Sequence, residues 1–535
     1  MALTTRPPAG GIRGALTRGA LTRGGLSPAR LRSLPGFVAP LVAAASTLAV
    51  VLVQLGRPSY WTDEAATVSA VSRPLPDMLR VFDRLDLVHA TYYLLMRPWA
   101  DVFGIGEWSL RMPSALAAAA ASAGLVVLGR RLGGTAAGLA AGLAYGGLPT
   151  VSRYAQEARS YSLVAAVAVL ASYLLLRGCA DGVRRRGPWL AGYTASVLLL
   201  GMLNLDALLL VPAHLVTLAL ARRRETGLLW RWLIAAVAAG AGLAPFVLAA
   251  AGQRKQVEWL KPPNGSTVVN LAEFLAGTRS MILPVAVLAV VGAIVGRRPG
   301  AGAQPGADGR PGREGIPAAA LAVPWLLLPP AVLLAWSFVG SPVFLSRYVF
   351  FCVPALALLV GLALARVARF GRRTSGRWLG MTALVATVAL LADLSLPHQG
   401  QIRRENSRLD LRLAADVLRQ QARPGDTMVF LSGVVRWGSL AYPDAFRRVR
   451  DVGLAVDPVR AGNYVGVDSP PEAMLPALAA ADRVWIMSSR AVRPGPGNAA
   501  GQRRKVLGEA GPWRTAGVWA SAGVRLTLLV RTGHR

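Results

Sequence analysis

Acidic side chains are scarce in this chain. Its 535 residues hold 27 Asp and Glu against 59 Lys and Arg, a formal net charge of +32. Charge of either sign is itself sparse, at 16% of residues, where a soluble globular chain carries roughly 25%. With 53% hydrophobic residues and a mean hydropathy of +0.43, this excludes an ordinary soluble domain and points to a polytopic membrane protein. Cysteine is nearly absent. Cys179 lies in a basic loop and Cys352 in an apolar run; the expected topology keeps them apart, which excludes a disulfide framework. The excess of arginine resembles a nucleic-acid signal, but the arginines fall in clusters between apolar runs. Such clusters orient membrane segments, because Lys and Arg resist translocation, so no nucleic-acid partner is expected.

What is present is a series of apolar runs. Residues 1–36 form a flexible basic tail with the pentads RGALT at Arg13, RGALT at Arg18 and RGGLS at Arg23. Residues 37–55 read as a retained first transmembrane helix, since about 20 residues suffice to span and no convincing A-x-A-like cleavage site follows. Ten more apolar segments follow at 112–128, 136–151, 163–176, 189–203, 207–220, 232–251, 281–295, 318–339, 349–364 and 379–396. Every even-numbered connection is rich in arginine, and residues 297–315 form a Gly/Pro/Arg-rich linker. The positive-inside rule then places the N-terminus in the cytoplasm of a plasma-membrane protein, with everything after Pro397 outside.

The expected fold class is an α-helical polytopic membrane protein of about 11 transmembrane helices over 37–396, followed by an extracytoplasmic α/β module at 397–535. In that module 410–421 reads as an amphipathic helix, 427–431 and 483–487 as strands, 471–481 as a helix and 525–530 as a last strand. Its 21 basic against 11 acidic residues suit contact with anionic membrane lipids.

Sixteen acids precede Pro397, and seven of them fall in the first outer loop, 56–111: Asp63, Glu64, Asp77, Asp83, Asp86, Asp101 and Glu107. A solvated loop balancing nearby arginines would explain some of this. Acids gathered in one loop beside a membrane are also the pattern expected of a reaction site. Asp83, Asp86 and His89 follow at i, i+3 and i+6, a spacing that would align them on a helix. Tyr92 and Tyr93 come next. The second outer loop supplies Arg153, Glu157, Arg159 and Tyr161, and later outer loops Arg254, Lys255 and Arg347.

The run WTDEA after the first helix, then D-x-x-H-x-x-YY, W-x-x-x-FG-x-x-EW-x-LR-x-PS-x-L, E-x-R-x-YSL and a late SRY, resembles the GT-C membrane glycosyltransferases. The nearest in kind are the family 39-like, protein-mannosyltransferase and aminoarabinose-transferase group. Relatives usually carry proline after the histidine, where this chain has Ala90. The resemblance implies a polyprenyl-phosphate-linked sugar donor, mannose or a similar hexose being favoured, and an arabinofuranosyl or aminoarabinose-type donor as the alternative. It also implies transfer on the outer face to a hydroxyl of a glycan, lipid or protein acceptor.

Read this way, Asp63 is the general base, with Glu64 and Asp86 orienting the acceptor. Arg159 and Arg347 would stabilise the leaving phosphate, and His89, Tyr93, Arg153, Glu157 and Tyr161 would line the substrate site. Glu64, Asp86, His89 and Glu157 are also oxygen and imidazole groups that a divalent metal could use. A lipid-linked sugar transporter or flippase is the non-enzyme alternative, although such proteins place paired charges at mid-membrane and show internal repeats.

Overall fold

The computed structural model describes residues 36–532 apart from 181–184, 223–224, 254–257, 298–314, 371–376, 405–408, 491, 493 and 496. The basic tail, Arg254, Lys255 and most of the Gly/Pro/Arg-rich linker lie outside these residues. Among the described residues, seven helices are long and apolar enough to cross a membrane. They are Glu107–Gly133, Tyr161–Gly178, Leu205–Arg222, Thr226–Ala251, Ala318–Val339, Ser346–Arg369 and Trp378–Ile402. An eighth arises if Gly265–Ala276 and Arg279–Val295, bent by 82° from each other, count as one span. The bend falls at Gly277, whose φ of 101° a residue with a Cβ would resist, and where a Cβ would meet the ring of Pro149 at 2.6 Å.

The expected eleven spans are therefore corrected to seven or eight. Each apolar segment does carry helix, but three are short. Val38–Leu52 has 15 residues, Gly187–Leu203 has 17 and Thr135–Gly147 has 13. At about 1.5 Å per residue the longest reaches only about 25 Å, short of a hydrocarbon core of roughly 30 Å. These helices are packed into the bundle through small residues. Gly142 lies where a Cβ would stand 2.7 Å from Val126 and 2.9 Å from Ala43, so three helices meet there almost backbone to backbone.

We label the first helices α1 (Val38–Leu52), α2 (Thr62–Val71), α3 (Leu75–Arg84), α4 (Ala90–Phe103) and α5 (Glu107–Gly133). The open carbonyls at the end of α1 are closed by side chains. Gln156 donates to the Val51 and Val53 oxygens at 2.7 and 2.9 Å, and Arg403 to Val50 at 2.8 Å. The loop of seven acids is thus largely helical. Asp63 and Glu64 occupy the first turn of α2, where the helix dipole favours carboxylates.

The C-terminal module is built on a five-stranded sheet. The strands of the module are β1 (Asp426–Phe430), β2 (Val449–Asp451), β3 (Leu454–Val456), β4 (Val467–Asp468), β5 (Arg483–Ser489), β6 (Trp513–Ser521) and β7 (Val524–Arg531). The sheet order is β2-β1-β5-β7-β6, with β2, β1 and β5 parallel and β7 and β6 antiparallel; β3 and β4 pair separately. Alternation divides the sheet into two covered faces. Met428, Phe430, Trp485, Met487, Leu526 and Leu528 join the main core on one face, while Val429, Leu431 and Val484 pack with Val506 and Leu507 on the other. The expected helix at 471–481 is a 3-10 turn, Pro471–Met474, followed by the short helix Leu475–Ala479.

The module is fastened to the loop helices. Arg412 donates to Glu107 at 2.7 Å and to the Arg57 and Gly56 oxygens at 2.9 and 2.8 Å. Tyr442 donates to the same Glu107 oxygen at 2.7 Å, and its own hydroxyl accepts the Tyr60 N–H at 3.0 Å. Arg84 donates to the Ala461 oxygen at 2.6 Å.

Candidate active site

The adjacent acids of α2 diverge, because neighbouring residues on a helix point about 100° apart. Glu64 turns into the protein and is fully buried. Its Oε1 accepts from Arg111 Nε at 2.7 Å and from the Ala158 N–H at 2.9 Å; its Oε2 accepts from Arg111 Nη2 at 2.8 Å. Arg111 spends its other donors on the oxygens of Leu55, Pro58 and Ser59. This bidentate pair joins the end of α1, the start of α2, α5 and the segment carrying Arg159. The structure places both oxygens of Glu64, expected to orient the acceptor, against protein donors.

Asp63 turns the other way and keeps 22% of its side chain exposed. Its Oδ2 lies 3.4 Å from Arg347 Nη1. The Arg347 guanidinium sits 5.7 Å from the Trp61 ring and 5.8 Å from that of Tyr348, so two aromatic faces hold it beside the carboxylate. Arg159 reaches the same place from the second loop, donating to the Asp63 main-chain oxygen at 3.4 Å and to the Tyr93 hydroxyl at 2.9 Å.

Asp83, Asp86 and His89 do not share a helix. Helix α3 ends at Arg84, and Asp86 adopts a left-handed conformation, φ 64°, before a single 3-10 turn. The turn brings Asp86 and His89 onto Arg159. Asp86 Oδ2 accepts from the Tyr93 hydroxyl at 2.6 Å and from the Tyr464 hydroxyl at 3.0 Å, and Oδ1 lies 3.9 Å from His89 Nε2. His89 Nε2 is 2.6 Å from Arg159 Nη2. A guanidinium can only donate, so this nitrogen accepts, the ring is neutral and its proton sits on Nδ1. Burial pushes the His89 pKa down to about 4, helped by the Arg159 charge and opposed by Asp86 and Asp63. Burial would raise the Asp86 carboxyl, but the Arg159 charge and the two phenol donors help to outweigh it, and the carboxyl is held below its ordinary value.

The cluster thus unites Asp63, Asp86, His89, Tyr93, Arg159 and Arg347. Glu157 and Tyr161 are buried on either side of Arg159 in the chain, and Tyr161 packs edge-on against Tyr154 with ring centres 5.1 Å apart. Arg153 is exposed on the short helix Pro149–Ala155 and is not joined to these contacts. Among the described residues no group of three or more His, Cys, Asp or Glu side chains is placed to hold a metal ion. The four groups named for one do not converge: Glu64 is closed by Arg111, and a guanidinium occupies the lone pair of His89.

Two contributors carried no sequence expectation. Arg111 has a signal in hindsight, since an arginine opening an apolar run must find a partner. Tyr464 has none; it lies 378 positions from the carboxylate it contacts. A cavity of about 310 Å³ between the far end of α2 and the module is lined by Ser69, Arg73, Phe430 and Arg436, among others, without Asp63.

Comparison with known proteins places the fold. The crystal structure of ArnT from Cupriavidus metallidurans bound to undecaprenyl phosphate is similar over 92% of this chain and 98% of its own, with a TM-score of 0.62 and 16% identity. The apo structure of that protein matches over 91% and 97%, with a TM-score of 0.60 and 15% identity. The fold is GT-C-like. This chain is thus a multi-pass membrane protein with a sheet-containing extramembrane module. A family model described as dolichyl-phosphate-mannose-protein mannosyltransferase matches residues 91–248. No curated protein matches the sequence.

Proposed function

We propose that this protein is a membrane glycosyltransferase that moves a sugar from a polyprenyl-phosphate donor to an acceptor hydroxyl on the outer face. One observation carries the reading: Asp63 meets two guanidiniums that keep unused donors, Arg347 at its carboxylate and Arg159 at its main-chain oxygen. Asp63 stands between Arg347 and Arg159, and the Nε groups of both arginines are buried without a hydrogen-bond partner. Three partners of Arg159 are neutral: a phenol, an imidazole and a main-chain oxygen. A buried cation so placed favours an incoming anion.

In the proposed step the acceptor O–H gives its proton to the Asp63 carboxylate while its oxygen attacks the anomeric carbon. The bond from that carbon to the phosphate oxygen breaks, and its electron pair leaves with the polyprenyl phosphate. Arg159 and Arg347 stabilise the charge gathering there, and the anomeric centre inverts. The Asp63 carboxylate, 3.4 Å from Arg347, is the group placed to accept the proton.

For the sugar, an aminoarabinose- or arabinofuranosyl-type donor is supported by the end-to-end likeness to ArnT, which extends through the module. Mannose is the second reading, supported by the family match over 91–248. The test is turnover of radiolabelled polyprenyl-phosphate sugars by detergent-purified protein with glycan, lipid and protein acceptors. The parent releases polyprenyl phosphate and Asp63→Asn loses at least about 100-fold, the scale of a general base. No turnover of any donor by folded protein would overturn the reading in favour of a transporter.

A further inference from the structure

Asp86 is a half-buried carboxylate in a left-handed backbone conformation, which a residue with a side chain disfavours and which persists only where surrounding contacts impose it. Two phenols impose it here. The Tyr93 hydroxyl has a single proton, which goes to Asp86 at 2.6 Å, and it therefore accepts from Arg159 at 2.9 Å. The second phenol comes from the C-terminal module. Tyr464 donates to the same Oδ2 at 3.0 Å, while its ring packs against Ala66 of α2 and Val81 of α3, with Trp437 at 5.6 Å and the Arg73 guanidinium at 5.6 Å.

The loop bearing Tyr464 is fixed from both sides. Arg73 donates to the Asn463 oxygen at 2.7 Å, and the Asn463 side chain accepts from the Val465 and Gly466 N–H groups. Gly462 takes a φ of 61° to turn the chain inward.

We propose that Tyr464 is a positioning residue of the site, the module's contribution to the reaction. It pins Asp86, and through Asp86 and Tyr93 it fixes the Arg159 guanidinium where the leaving phosphate forms. This rests on the proposed function. Tyr464 touches no reacting atom; its effect passes through a chain of three hydrogen bonds.

The test compares Tyr464→Phe with the full-length parent in detergent, measuring donor turnover across pH and binding of undecaprenyl phosphate. Trp437→Leu, which removes a packing neighbour and no hydrogen bond to Asp86, is the control. A hydrogen bond to a charged group predicts a 10- to 100-fold loss in kcat, with the acceptor KM and the melting temperature close to parent values. The acid limb of the rate profile moves to higher pH, because Asp86 loses a donor favouring its charged form while His89, Arg159 and Tyr93 remain. Undecaprenyl phosphate binds at least tenfold more weakly. Unchanged kcat, pH profile and binding in Tyr464→Phe would overturn the positioning role and leave the proposed function standing. A parent that turns over no donor, yet binds undecaprenyl phosphate tenfold better than the variant, would overturn the reaction and keep the positioning. Losses matched by Trp437→Leu reduce Tyr464 to packing and refute the proposal, as does a parent that neither binds nor turns over.

Discussion

Replacing Glu64 by glutamine separates the two acids of α2 by kind of damage. In the parent, the buried Glu64 carboxylate is shared by Arg111 and the Ala158 N–H. Glutamine keeps the shape but sets an amide NH2 against a guanidinium N–H, and leaves the fully buried Arg111 charge without its counter-ion. Removing one member of a buried ion pair costs roughly 3–5 kcal/mol. At about 2.1 cal/mol/K of unfolding entropy per residue, a cooperative unit of some 500 residues loses about 1 °C per kcal/mol, so the midpoint falls by about 3–5 °C. Asp63→Asn disturbs a pair at 3.4 Å whose members are each 22% exposed, worth less than about 1 kcal/mol. Its midpoint stays near the parent's while turnover disappears. Thermal denaturation of both variants in one detergent, beside donor turnover, is the assay. An unchanged midpoint for Glu64→Gln would refute the structural assignment. Turnover lost in that variant but kept in Asp63→Asn would exchange the roles of the two acids.

Arg159→Lys places a point charge where a planar fork now reaches Tyr93, His89 and the Asp63 oxygen together. It is expected to lower kcat/KM for the donor by about 100-fold, the scale of a lost transition-state donor; steady-state kinetics showing a loss under threefold would refute this. Because the folded His89 pKa lies near 4 and below its ordinary value, the unfolded chain binds more protons between about pH 6.5 and 4. Stability contributed by neutral His89 is therefore present above that window and falls as pH drops through it. Melting temperatures from pH 8 to 4 should decline more steeply for the parent than for His89→Gln, and parallel curves would count against a neutral, half-buried ring.

Much of this arrangement is visible in the sequence and some is not, for physical reasons. Asp63, Arg159 and Arg347 stand in short motifs at the ends of apolar runs, and the structure brings them together. Their separation from the membrane segments is a hydropathy signal, which survives without knowledge of packing. Which of Asp63 and Glu64 stays partly exposed is not such a signal. It depends on where Arg111 lies in three dimensions. The spacing of Asp83, Asp86 and His89 suggests a helix face, yet the helix stops at Arg84 because Asp86 is held in a turn by contacts from Tyr93 and the distant Tyr464. Apolar runs outnumber spans because apolar segments buried among other helices, such as Thr135–Gly147, need not be long enough to cross a bilayer.

The hydrogen bond from Tyr464 to Asp86 links positions 378 apart, and that from Arg412 to Glu107 positions 305 apart. During synthesis every membrane-spanning helix is polymerised before either partner in the module. A nascent chain therefore passes through a stage in which Asp63, Arg159 and Arg347 are all made while Asp86 still lacks its second brace. The order of translation makes the module a completion check. A chain cut short by a stalled ribosome or a premature stop after the last span carries the carboxylate and both guanidiniums, but not the tyrosine that locks them in register.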